Sequence, residues 1–101
     1  MDLQIIPEIL IIEKTEVELE SLFRVIIHND HITPMAFVVD ILASIFLLGG
    51  SNAMDIMLKA HILGEAYVQT VPKSEAEKRI SKAHFYAGLE GYPLHFSMEP
   101  E

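Results

Sequence analysis

The sequence has no cysteine and no tryptophan among its 101 residues. Without thiols it forms no disulfide, no thiolate nucleophile and no zinc–thiolate site, a usage that suits a reducing compartment such as the cytoplasm. Positive charge is scarce too: seven Lys and Arg stand against fifteen Asp and Glu, a formal charge of −8. A nucleic-acid binder needs a basic footprint, and an anionic membrane surface would repel this chain. The longest apolar stretch, around residues 41–48, is far too short for a membrane span. The first residues are acidic and carry no signal-peptide pattern. Length excludes a two-lobed enzyme with a cleft between domains.

Half the residues are hydrophobic and mean hydropathy is +0.31, so there is ample material for one core. Charge is uneven along the chain. Residues 1–22 hold six acids and one base, a net of −5, and the remaining residues account for −3. Pro7 with the pairs Ile5–Ile6 and Ile11–Ile12 argues against helix there, so residues 1–21 are expected to be a partly flexible extension. Residues 22–101 are expected to form the folded domain.

Within that domain the residues from Leu22 to His28 are β-branched and aromatic, a strand with Phe23, Val25 and Ile27 on one face. Thr33 and Pro34 predict a capped helix running to Leu48. Ser51 and Asn52 predict the cap of a second helix, which stops at Gly64. A short strand follows from Ala66 to Val71. Ser74 to Glu77 reads as a capping box opening a third helix, which turns Ala76, Ile80, Ala83 and Ala87 inward and stops at Gly88. A last strand runs from Leu94 to Met98. The order β-α-α-β-α-β predicts an α+β domain, three helices packed on a three-stranded antiparallel sheet.

The richest polar cluster lies between the first strand and the first helix: His28, Asn29, Asp30, His31 and Thr33. A strand-to-helix turn explains these residue types by itself, because Asn and Asp form turns and Thr caps helices. A metal site on the two histidines and Asp30 is the weaker reading, since no partner shows recognisable ligand spacing. His61 shares a helix face with Met57, where a partly buried, hydrogen-bonded histidine is the ordinary occupant. Met35, Met54 and Met57 read as core filler. No triad spacing, phosphate loop or carboxylate pair stands out.

The runs Phe23-Arg24-Val25-Ile26-Ile27-His28-Asn29-Asp30 and Thr33-Pro34-Met35-Ala36-Phe37-Val38-Val39-Asp40-Ile41-Leu42 strongly resemble the ClpS family of protease adaptors. Ile56-Met57-Leu58-Lys59-Ala60-His61, Gly64-Glu65-Ala66, Ala76-Glu77 with Arg79, and Tyr92-Pro93-Leu94 extend the similarity over residues 22–101. The resemblance implies a non-enzymatic adaptor without cofactor or metal. It would bind substrate proteins by a bulky N-terminal Leu, Phe, Tyr or Trp and deliver them to a Clp AAA+ unfoldase of the ClpA or ClpC type. By position it implies an N-degron pocket of Asn29, Asp30, His31, Thr33, Met35, Val38, Met57, His61 and Leu94. It further implies a cytoplasmic monomer, with unfoldase docking near Ser74, Glu77 and Arg79.

Two departures from the family pattern carry consequences. His31 stands where the family usually has an acid contacting the ligand's α-amino group. A protonated imidazole there would repel that cation, so binding should weaken as pH falls toward about 6.5. On the third helix Ser74 replaces a usual Glu, flanked by Glu75 and Glu77, while Arg79 keeps the positive charge. One alternative is a divergent adaptor that docks on the unfoldase without reading N-termini. The other, of a different class, is a small metal-dependent hydrolase using His28, Asp30, His31 and His61.

Overall fold

The structure, a computed structural model, describes residues 20–101. Its elements follow the predicted order: β1 (Leu22–His28), α1 (Met35–Ser44), α2 (Gly50–Leu63), β2 (Glu65–Pro72), α3 (Lys73–Glu90) and β3 (His95–Pro100). β1 is the central strand of an antiparallel sheet of order β2-β1-β3. Period-2 alternation puts Val25 and Ile27 on the face covered by helices, where both are almost fully buried. Phe23 packs at the edge of the same cluster. The β1–β2 register slips between Val25 and Ile26, so Val68 has no partner across the ladder, and it is buried in the core.

α1 is shorter than the sequence predicts, ending at Ser44 and not at Leu48. Tertiary packing decides this. Phe46 turns inward to 1% exposure and stacks on Phe96, with ring centroids 4.7 Å apart. Its carbonyl accepts a bond from the Gln69 side-chain amide at 2.9 Å. Leu47 absorbs the change of direction at φ 58.

The expected caps also differ. Pro34, with ψ 141, is itself the N-cap of α1 and carries no side-chain cap; Thr33 bonds elsewhere. Ser51 and Asn52 lie inside α2, which starts after Gly49. Ser74 lies inside α3 and forms no capping box with Glu77. Its N–H and hydroxyl donate to the Glu20 carboxylate at 2.9 and 2.8 Å. Those bonds hold the Glu20 carboxyl below its ordinary pKa. α3 continues two residues past Gly88 and stops at Gly91. The stop at Gly64 is as predicted: its φ of 94 is a conformation that glycine adopts without strain. Ala76, Ala83 and Ala87 point inward as expected, and their small size lets α3 approach the sheet closely. Residues 1–19 of the expected extension lie outside the described residues.

Candidate functional site

Where β1 leaves the sheet, the backbone must turn before α1 begins, and one carboxylate organises that turn. Asp30 Oδ1 accepts the N–H groups of Ile32 (2.8 Å) and Thr33 (2.6 Å), and Oδ2 accepts the Thr33 hydroxyl (2.9 Å). Burial alone would raise the Asp30 pKa. The bonds from Thr33 and Ile32, with His31 close by, outweigh it and hold the carboxyl below its usual range. Asn29 is pinned from the other side, its N–H donating to the Gly64 carbonyl at 2.9 Å. The end of β1 is thereby fastened to the end of α2.

Between these anchors lies a hollow of about 150 Å³. All nine residues of the expected pocket line it. Val38, Met57 and Leu94 form its floor and are less than a tenth exposed. Asn29, Asp30 and Thr33 form one half-buried wall, and His31, Met35 and His61 stand exposed at the mouth. Three further residues also contribute: Ile27, His28 and Ala60. Ile27 follows from strand alternation and Ala60 from its place three residues after Met57 on the same helix face. An apolar cavity of about this size is enough for a benzene ring.

The rim is polar and partly uncommitted. Among the described residues no hydrogen bond engages the Asn29 side-chain amide or the His61 ring, so both remain able to accept from a ligand. Asp30 is differently placed: its oxygens already accept three short bonds within the turn, so it shapes the wall, and Oδ2, with a single bond, keeps capacity for one further donor.

The metal reading fails on geometry. His28 turns toward the sheet, with Nε2 2.6 Å from Ser97 Oγ and Nδ1 3.8 Å from Glu65 Oε1. Asp30 is spent on its own loop. Among the described residues no three His, Asp or Glu side chains converge as a metal would need.

Of the residues expected to dock a partner, Ser74 and Glu77 are exposed on α3. Arg79 is engaged within the fold: Nε donates to Glu75 Oε2 at 2.7 Å and an Nη donates to Gln69 Oε1 at 2.8 Å. Through Gln69 this chain reaches the Phe46 carbonyl, so Arg79 ties α3 to β2 and to the segment after α1. His84 carries no local signal of its role. Its Nε2 accepts the outward-facing Phe96 N–H of β3 at 2.9 Å, and its ring stacks on His95.

Comparison with known proteins gives a consistent result. The model of the family described as ATP-dependent Clp protease adaptor protein ClpS matches residues 18–97. The ATP-dependent Clp protease adapter protein ClpS of Vibrio atlanticus is 36% identical over 87 residues, covering 86% of this chain and 82% of that protein. ClpS 1 of Bradyrhizobium diazoefficiens is 39% identical over 88 residues, covering 87% of each. Among solved structures, Agrobacterium tumefaciens ClpS2 bound to L-phenylalaninamide superposes with a TM-score of 0.77 at 32% identity, over 81% of this chain and 99% of that one.

Proposed function

The chain belongs to the ClpS family of ATP-dependent Clp protease adaptor proteins, and from that footing we propose that its 150 Å³ hollow binds the N-terminal residue of substrate proteins. It is an adaptor of the Clp protease and not an enzyme, which sets aside the hydrolase reading. The observation that carries the proposal is the pairing of an apolar floor with a rim of free acceptors. The ligand seen in the Agrobacterium protein, phenylalanine with a free amino group and an amidated carboxyl, mimics a chain's first residue.

The chemistry suits a bulky first residue (Leu, Phe, Tyr or Trp). Val38, Met57, Ala60 and Leu94 exclude water from the side chain, and its full burial contributes about 1.5–3 kcal/mol. The α-ammonium brings three donors and needs acceptors, for which Asn29 Oδ1 and a neutral His61 serve, directly or through water. Met35, 45% exposed at the mouth, gates the entrance: its flexible thioether adapts to flat rings, while branching at Cβ would collide with it. With Asp30 engaged in its own turn and a histidine at 31, the rim offers that cation no carboxylate beyond the remaining capacity of Asp30 Oδ2.

Titration calorimetry with peptides beginning in Leu, Phe, Tyr and Trp, each with an acetylated control, tests the pocket. Free amines should bind and acetylated ones should not; equal affinities overturn the assignment. His31→Asp should tighten binding of the free peptides by about tenfold, the equivalent of about 1.4 kcal/mol. An unchanged affinity removes the electrostatic argument.

Delivery is to a Clp AAA+ unfoldase of ClpA or ClpC type, through the exposed start of α3 at Ser74 and Glu77, with Arg79 holding that helix in place. A cytoplasmic monomer fits this role, since the pocket draws on one chain only.

A further inference from the structure

A second and larger hollow, about 340 Å³, lies between α1 and α3, away from the peptide pocket. Phe37 and Ile41 from α1, and Ile45 just past its end, face Tyr86 from α3, with Ser44 and Lys82 at the edges. The apolar surface continues along α3 through Phe85 and Leu89, 62% and 67% exposed. Such continuous apolar exposure marks a surface that something covers.

The chain supplies an occupant of matching chemistry. Residues 5–12 read Ile-Ile-Pro-Glu-Ile-Leu-Ile-Ile, and residues 1–19 carry five acids against one base. On α3, Lys78 and Lys82 form no ion pair among the described residues. The chain also emerges in the right place. Glu20 is bonded to Ser74, and the Ser21 carbonyl accepts the Lys73 N–H at 2.9 Å, so residues preceding Glu20 enter beside the start of α3. From Ser74 to Lys82 and Tyr86 is about 12–18 Å along the helix at 1.5 Å per residue. The eight residues from position 12 to position 20 span up to about 26 Å, so the groove lies within reach. Tethering raises the local concentration of this segment to the millimolar range, which favours it over any free competitor of similar affinity.

We propose that residues 5–12 of this chain occupy the groove between α1 and α3 within the same molecule, with the neighbouring acids Glu8 and Glu13 facing Lys78 and Lys82. The absence of cysteine makes the test clean. A nitroxide on full-length Gln4→Cys, next to the proposed segment and outside its acids, should broaden amide signals of Ile41, Ser44, Ile45 and residues 82–86 by more than half, unchanged on tenfold dilution. Tyr86→Glu should abolish that broadening while the rest of the spectrum stays folded. Should Tyr86→Glu fail to fold, Lys82→Glu, which alters only a rim charge, should reduce the broadening at least threefold. Broadening centred on Asn29 to Met35, uniform weak broadening, or broadening that disappears on dilution as for a second copy would each overturn the proposal. So would broadening that survives these substitutions.

Discussion

Asp30 shows how much one carboxylate can organise. It satisfies two backbone N–H groups and one hydroxyl, and no other side chain in the turn could take over all three. Asp30→Ala removes three bonds from an exposed to half-buried turn whose donors can turn to water, for which we expect a loss of about 1 kcal/mol in denaturant unfolding. Peptide affinity should fall as well, because Asn29 and Thr33 lose their positions. The sign of the pH dependence follows from the depressed carboxyl pKa. Its contribution is fully present above the unfolded aspartate value of about 3.9 and is lost as pH falls through the lower folded value. Acid unfolding of Asp30→Ala should therefore show a shallower slope below about pH 4 than the parent protein. An unchanged slope would show that other carboxylates dominate. His84 runs the opposite chemistry. Desolvation first, and His95 second, lower its pKa, and only the neutral ring can accept the Phe96 N–H. The folded state resists protonation, so stability is full above the ordinary histidine value of about 6.5 and declines as pH falls below it. His84→Gln, which keeps an acceptor but does not titrate, should flatten that decline in melts taken between about pH 7 and 5.

At the scale of elements, the join between α2 and β2 depends on backbone more than on side chains. Gly64 sits at φ 94 with open space where a Cβ would lie, so Gly64→Ala costs backbone strain alone, about 1–2 kcal/mol. A thermal melt should show the loss, and peptide affinity should fall only to the extent that the Asn29 anchor on the Gly64 carbonyl shifts. This stop was legible in the sequence, as were the span of β1 and the inward alanines of α3, because each follows from local periodicity or from one residue's conformational freedom. The end of α1 was not legible. Residues from Ile45 to Leu48 have helical periodicity, but Phe46 gains more by stacking on Phe96, a partner 50 positions away. The caps were misread for a related reason: Thr33 and Ser74 found carboxylates at Asp30 and Glu20 in place of their own helix ends. The pocket residues came from family resemblance. Local rules alone left His61 as a partly buried, hydrogen-bonded histidine and the methionines as core, since nothing in an i, i+4 pattern distinguishes a core face from a pocket wall.

The whole molecule matters to binding because the pocket belongs to no single element. Its walls come from the end of β1, the turn after it, α1, α2 and the residue before β3, separated by up to 67 positions between Ile27 and Leu94. Unfolding any of these removes the site, so a ligand that binds it must stabilise the entire domain and not one segment. The linkage is quantitative: at a hundred times Kd a peptide adds about 2.7 kcal/mol. For a domain of this size, at about 4–8 °C per kcal/mol, Tm should rise by roughly 10–20 °C. We expect that shift with a peptide beginning in Phe and none with its acetylated form. Hydrogen exchange should report the same coupling at a distance. Val25 and Ile27 sit in the central strand, paired on both sides, where exchange is expected to need global opening, so their amides should slow by the factor that the peptide adds to the folding equilibrium. Protection confined to the turn and to the start of α1 would instead show that the pocket closes locally on its ligand. The domain would then offer a mobile loop rather than a preformed site.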